Sequence, residues 1–251
     1  MNAHDLATLR VATYNIHKGV QGLGPARRLE IHNLALAVEM LDADIICLQE
    51  VRRVNRREAG YFARWPELPQ ADFLAPEGYQ AVYATNAFTR HGEHGNALLS
   101  RWPVVDWRHE DMSDHRFEQR GLLHAQVRVG ALAVHVIVVH FGLIPASRLR
   151  QVEQVRRYIR REIAPDAPLL VAGDFNDWGT RVRRQLWQDA LRAFEGPRTL
   201  TYPSRMPVVQ LDHIYARGLV PTGLMAPRGR AWRRMSDHLP LIAEFRLDGS
   251  R

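Results

Sequence analysis

A series of short apolar runs, each ending on Asn, Asp, Glu or His, constrains the fold of this chain more than any other feature. Asn15 closes the run 10–15, Glu50 closes 44–50 and His140 closes 134–140. Asp174 and Asn176 end the run 169–176, Asp212 follows 208–211, and Asp237 with His238 precedes the last apolar run. A polar residue is the ordinary way to finish a strand, so one such ending means little. The repetition, with one chemical set of side chains, is what strands produce when they leave a shared core at a common mouth. Asp174 and Asn176 stand two apart, which in extended chain puts both side chains on one side.

Further β-type runs cover 9–16, 45–49, 80–83, 97–99, 123–129, 131–139, 169–172, 211–215 and 241–245. Gly130, between two of them, predicts a tight hairpin turn. Leu34, Ala37, Val38 and Leu41 recur at helical spacing, as do Leu149, Val152, Val155, Ile159 and Ile163. The second helix places Arg148, Arg150, Arg156, Arg157, Arg160 and Arg161 on its polar positions, which suits a solvated outer face. Many strands with few helices imply an α/β fold of two sheets packed face to face, helices outside, as a single domain over residues 1–251. The segments 52–78 and 101–120, rich in charge, Trp and Pro, are expected to be irregular loops that shape a substrate groove.

Apolar residues make up 46% and charged residues 24%, which excludes disorder and collagen-like classes. The net charge is +7 and most of it is arginine, a side chain suited to bidentate phosphate contacts. That charge favours a polyanionic partner: nucleic acid, an anionic lipid headgroup or a phosphorylated small molecule. Residues 1–10 hold no apolar stretch of secretory type, and 131–139 is too short to span a bilayer. The lone Cys47 excludes an internal disulfide and is expected in the core, consistent with a cytoplasmic protein.

Carboxylate and amide oxygens of this kind suit a hard cation such as Mg2+ or Mn2+. Together with histidine they are the parts needed to hydrolyse a phosphate ester. His17, His91 and His94 lack the cysteine or helical motif of a zinc site, and that reading is disfavoured. Tyr14 and Phe175 are expected in the core, whereas Trp178 is a candidate substrate wall and Arg120 a candidate groove residue.

The ordered set Tyr14–Gly19, Leu48–Glu50, Gly95–Ser100, Gly173–Asn176, Leu211–His213 and Ser236–Pro240 resembles the endonuclease/exonuclease/phosphatase (DNase I-like) superfamily, in particular its small bacterial single-domain members. The resemblance runs from about Arg10 to Phe245. It implies a four-layer α/β/β/α sandwich with its site at one edge of the sheets, and a divalent-metal-dependent hydrolase. Glu50 is similar to the principal metal ligand, with Asn15 and Asp237 beside the metal. Asp174 resembles the aspartate that orients the attacking water, and Asn176 and Asn15 resemble phosphate-holding amides. His238 is similar to the histidine on the scissile phosphate, Asp212 to the carboxylate that fixes its tautomer, and His140 to a residue on the leaving-group side.

The stretches 173–178 and 211–213 depart from the inositol polyphosphate 5-phosphatase pattern, and Leu211 departs from the arginine of abasic-site endonucleases. Charge favours a DNA or RNA nuclease. A phospholipid or small-molecule phosphoesterase is the alternative, and a silent binding module is disfavoured by the complete residue set.

Overall fold

The computed structural model describes residues 8–189 and 191–247. In chain order the strands are β1 (Thr8–Asn15), β2 (Val20–Gln21), β3 (Arg28–Leu29), β4 (Ile45–Val51), β5 (Gln80–Thr89), β6 (Gly92–Ser100), β7 (Val104–Asp111), β8 (Gly121–Val129), β9 (Leu132–His140), β10 (Leu169–Asp174), β11 (Asp212–Arg217), β12 (Val220–Met225) and β13 (Leu241–Arg246). The helices are α1 (Ile31–Met40), α2 (Arg56–Tyr61), α3 (Gln70–Leu74), α4 (Pro145–Glu162), α5 (Arg181–Trp187) and α6 (Trp232–Met235).

Two sheets carry the fold. One runs β12-β13-β1-β4-β6-β5 and the other β11-β10-β9-β8-β7. Alternation along each strand divides the core into three layers. Val11, Cys47, Leu98, Val136 and Ala172 point into the gap between the sheets. Their chain neighbours Ala12, Ile46 and Leu99 meet α1, α3 and α6 on one outer face. On the other, Ile137 and Val171 meet α4 through Val152, Val155 and Ile159. This is the four-layer α/β/β/α arrangement expected. Central strands such as β4 are buried on both faces, so they read as continuous apolar runs rather than alternating ones. The outermost β7 is exposed along most of its length and carries Asp106, Arg108 and Glu110, charges that discourage edge pairing. Cys47 and Tyr14 are fully buried, as is Phe175.

The hairpin at Gly130 is present, with Val129 paired to Leu132 and Gly130 at φ +61°. Several expectations need correction. The stretch 52–78 contains α2, capped by Asn55 accepting from the Glu58 N–H, and α3. The stretch 101–120 contains β7, whose charged edge character disguised it as loop. Arg148 does not sit on the polar face of α4: it is buried and donates to the carbonyls of Gly142 and Leu143. The other arginines of α4 do face outward, and there they pair with Glu153, Asp189, Glu110, Glu162 and Asp114.

Candidate active site

Parity brings the polar run-ends together. Asn15 continues the inward set of Leu9 and Val11, His140 that of Val136 and Val138, Asp174 that of Leu170 and Ala172, and Asp212 that of Ile214 and Ala216. β9 and β10 run parallel with His140 opposite Asp174, and β11 runs back with Asp212 opposite Asp174. These four side chains therefore converge where the inter-sheet gap opens. Gly173 makes this close approach possible, because a Cβ there would meet the Val139 carbonyl oxygen at 1.8 Å.

Glu50 reaches the site by breaking the alternation. By parity it belongs with Ile46 and Leu48 under the helices. The register of β4 on β6 shifts between Leu48 and Val51, and Glu50 adopts φ +57°. A bulge of this kind re-aims a side chain. His17, Lys18 and Asn176 also hold positive φ, at 47°, 61° and 48°. Left-handed backbone in non-glycine residues costs roughly 1–3 kcal/mol each and gathers at functional sites.

Asp174 is the hub. Its Oδ2 accepts from the Asn15 side-chain amide at 3.1 Å and lies 3.5 Å from His140 Nε2 and 3.6 Å from His238 Nε2. Its Oδ1 accepts from the Asn176 N–H at 3.0 Å. The Asn176 side chain donates to the Phe141 carbonyl at 2.9 Å. His238 Nδ1 lies 2.8 Å from Asp212 Oδ2, both buried. The segment carrying His238 is pinned by Ser236, whose hydroxyl donates to the Asn15 carbonyl at 2.6 Å, and by Ser204, whose hydroxyl donates to the Ser236 carbonyl at 2.6 Å.

Burial and neighbours push the ionisable groups apart. Burial works against a charged His238, yet Asp212 and Asp174 overcome it and raise its pKa to about 10. His140 goes the other way: burial, reinforced by Arg120, lowers it to about 4. Burial raises the Asp174 carboxyl, with His238 and His140 pulling against it. Glu50 is held well below the usual carboxylate range because Lys18, His140 and His17 outweigh its burial. Asp237 is lowered as well, its burial outweighed by His17 and His238.

Sequence reasoning missed His17 and Lys18 as neighbours of the carboxylates. Lys18 Nζ stands 2.8 Å from Glu50 Oε2, and His17 Nδ1 stands 3.2 Å from Asp237 Oδ1. They stand two and three residues after Asn15, in a turn held by the His17 N–H donating to Asn15 Oδ1. Their position beside a run-end was the available signal. Arg120 lies near His140 and pairs with Glu118 at 3.2 Å. Trp178 is exposed and meets Tyr202 edge-on, and Tyr202 in turn packs 4.9 Å from the His238 ring.

One ligand-type atom each from Asp174, Asp212 and His238 lies within 4.8 Å of the others. Asp212 and His238 already satisfy each other there. Glu50 Oε2 is buried and lies 2.8 Å from Lys18 Nζ.

The sequence profile of the Endonuclease/Exonuclease/phosphatase family matches residues 12–238. The chain belongs to this family. It is 35% identical over 248 residues to the uncharacterized protein YbhP of Escherichia coli, covering 96% of this chain and 97% of that protein. Its fold is similar to that of an endonuclease/exonuclease/phosphatase from Beutenbergia cavernae, with TM-score 0.74, 21% identity and coverage of 97% and 72% of the two chains. It is also similar to a mannosyl-6-phosphatase from Bacteroides thetaiotaomicron, with TM-score 0.72, 17% identity and coverage of 94% and 99%. The family match spans every residue of the converging cluster, from Asn15 to His238.

Proposed function

We propose that this protein is a divalent-metal-dependent phosphodiesterase in which Asp174 orients and deprotonates water for in-line attack on phosphorus. The observation that carries the reading is the convergence of Asn15, His140, His238 and Asn176 on one buried carboxylate, Asp174. Glu50, Asn15 and Asp237 would hold Mg2+ or Mn2+, which supplies charge neutralisation on the phosphoryl oxygens.

The residues divide the remaining work by protonation state. Asp174, its pKa raised by burial, is a stronger base than a surface aspartate and takes the proton of the attacking water. His238, kept cationic by Asp212, faces the negative charge that builds on the phosphoryl oxygens. His140 is neutral at pH 7 and acts as a hydrogen-bond donor beside the leaving oxygen. Asn176, fixed by Phe141, positions the phosphate. Arg120 and Trp178 flank the mouth as substrate contacts.

Two observations favour a phospholipid over the nucleic acid that charge alone favours. Much of the arginine of α4 is occupied by ion pairs, so that helix does not offer a track of free cations for a polyanion to follow. The mouth also carries exposed apolar side chains, Trp178 among them. The test is Mg2+- and Mn2+-dependent hydrolysis of plasmid DNA, single-stranded DNA, RNA, phospholipid vesicles and bis-p-nitrophenyl phosphate, each beside Asp174→Ala. Metal-dependent turnover that Asp174→Ala abolishes is expected. Equal turnover by the variant on its best substrate would sink the assignment.

A further inference from the structure

The strand registers show which loops share the end of the molecule where the site opens. β1, β4, β9 and β10 all end there. β6 enters β4 at Gly95 opposite Val51, so the β5–β6 hairpin tip projects beyond that end. β8 pairs with β9 at Leu122 and Val139, which puts the loop before Gly121 at the same end. β11 starts opposite Asp174, which does the same for the loop before Asp212.

These loops carry large apolar side chains in water. Phe88 is 72% exposed at the hairpin tip, Phe117 82% on the loop before β8, and Leu143 68% just after β9. Trp178 is 62% exposed just after β10, and Met206 71% on the loop before β11. They are not one floppy segment, since the Phe88 N–H donates to the Gln119 side chain at 2.8 Å and ties two of the loops together. Arginines stand among them. Arg90 follows Phe88 by two residues, Arg116 precedes Phe117 and lies 4.7 Å over its ring, and Arg205 precedes Met206. All three are exposed, and none makes an ion pair among the described residues. Apolar side chains raised on several sides of one opening, three of them beside an unpaired cation, form a surface that a charged polymer alone would not stabilise. The pairing matches an interface whose outer layer is anionic and whose interior is hydrocarbon.

We propose that the site end of this protein docks on a bilayer containing anionic lipid, with Phe88, Phe117 and Met206 entering the acyl boundary and Arg90, Arg116 and Arg205 meeting headgroup phosphates. Docking in this way sets the mouth against headgroups, so a phosphodiester of a membrane lipid is the substrate class presented to Asp174. The substrate part rests on the phosphodiesterase reading above, whereas docking is measured without turnover.

The experiment is flotation of full-length Asp174→Ala protein with vesicles of phosphatidylglycerol and phosphatidylcholine in equal parts, and with phosphatidylcholine alone. The same is done after adding Phe88→Ser, Phe117→Ser and Met206→Ser together. Binding to the anionic vesicles is expected, with a loss of affinity of at least about a hundredfold in the triple-serine protein, which is about 2.7 kcal/mol shared among the three side chains. The triple-serine change in the otherwise wild-type protein should leave hydrolysis of soluble bis-p-nitrophenyl phosphate unaltered, which also shows that it folds. Failure of the parent to float with anionic vesicles, or equal flotation by the triple-serine protein, overturns docking. So does binding of a single-stranded oligonucleotide that depends on the three side chains when vesicle binding does not. Docking without any metal-dependent hydrolysis would leave the membrane surface standing and remove the phosphodiesterase reading instead.

Discussion

Asn15 and Glu50 come to the site from the six-stranded sheet, and His140, Asp174 and Asp212 from the five-stranded sheet. The two sets are held in different ways. On the five-stranded side, ordinary strand parity aims every side chain, and each finds protein partners: Asp212 holds His238, and Asp174 takes Asn15 and Asn176. On the six-stranded side, Glu50 arrives through a bulge and a left-handed backbone and is balanced by Lys18, as Asp237 is by His17. One half is a finished hydrogen-bonded assembly. The other is a pair of acids, each facing a basic side chain from the turn that follows Asn15.

The contrast predicts different damage on the two sides. Asp174→Ala should lower kcat on bis-p-nitrophenyl phosphate by roughly a thousandfold or more with KM little changed, because both proton transfer and the hub are lost. A loss confined to KM would mean that Asp174 only binds. Asp212→Asn should cost about a hundredfold in kcat, since His238 loses the charge that keeps it cationic. Should kcat stay at the wild-type level, the pairing would be structural alone. Glu50→Gln should behave otherwise, raising the Mg2+ concentration for half-maximal rate by at least about tenfold while saturating metal restores much of kcat. If saturating metal restores nothing, the two halves are not separable in this way.

The smallest effect concerns stability away from the site. His124 packs against Tyr158 at 2.9 Å and against His135 at 2.9 Å, and burial lowers the His124 pKa from 6.5 to about 4. A histidine with a folded pKa below its unfolded one is stabilising in its neutral form. Its contribution is whole above pH 6.5 and is lost as pH falls from 6.5 towards 4. Melting temperature should drop by several degrees across that window and recover when the pH is returned. A flat melting temperature between those values would show that the cluster accepts a proton without cost.

The legibility of the sequence follows the same division. Asn15, His140, Asp174 and Asp212 were readable because each continues the two-residue alternation of a strong apolar run. Glu50 was readable as a run-end, but not the bulge that turns it. The partners of the carboxylates were hidden: nothing local links Lys18 to Glu50 or His17 to Asp237, whose separations are set by how β1 packs against its neighbours. β12 was missed because Pro221 and Gly223 interrupt its pattern, which only an edge strand tolerates. The exposure of Phe88 and Phe117 was not legible, since exposure is a property of the assembled fold.

The backbone of Glu50 has a consequence for anyone who alters this protein. A left-handed φ is easiest for glycine and tolerable for asparagine, so either residue at position 50 relaxes the turn while removing the carboxylate. A library selected for heat resistance alone would drift towards those two residues, and the most durable survivors would be the least active. Position 50 should be locked before any such selection begins.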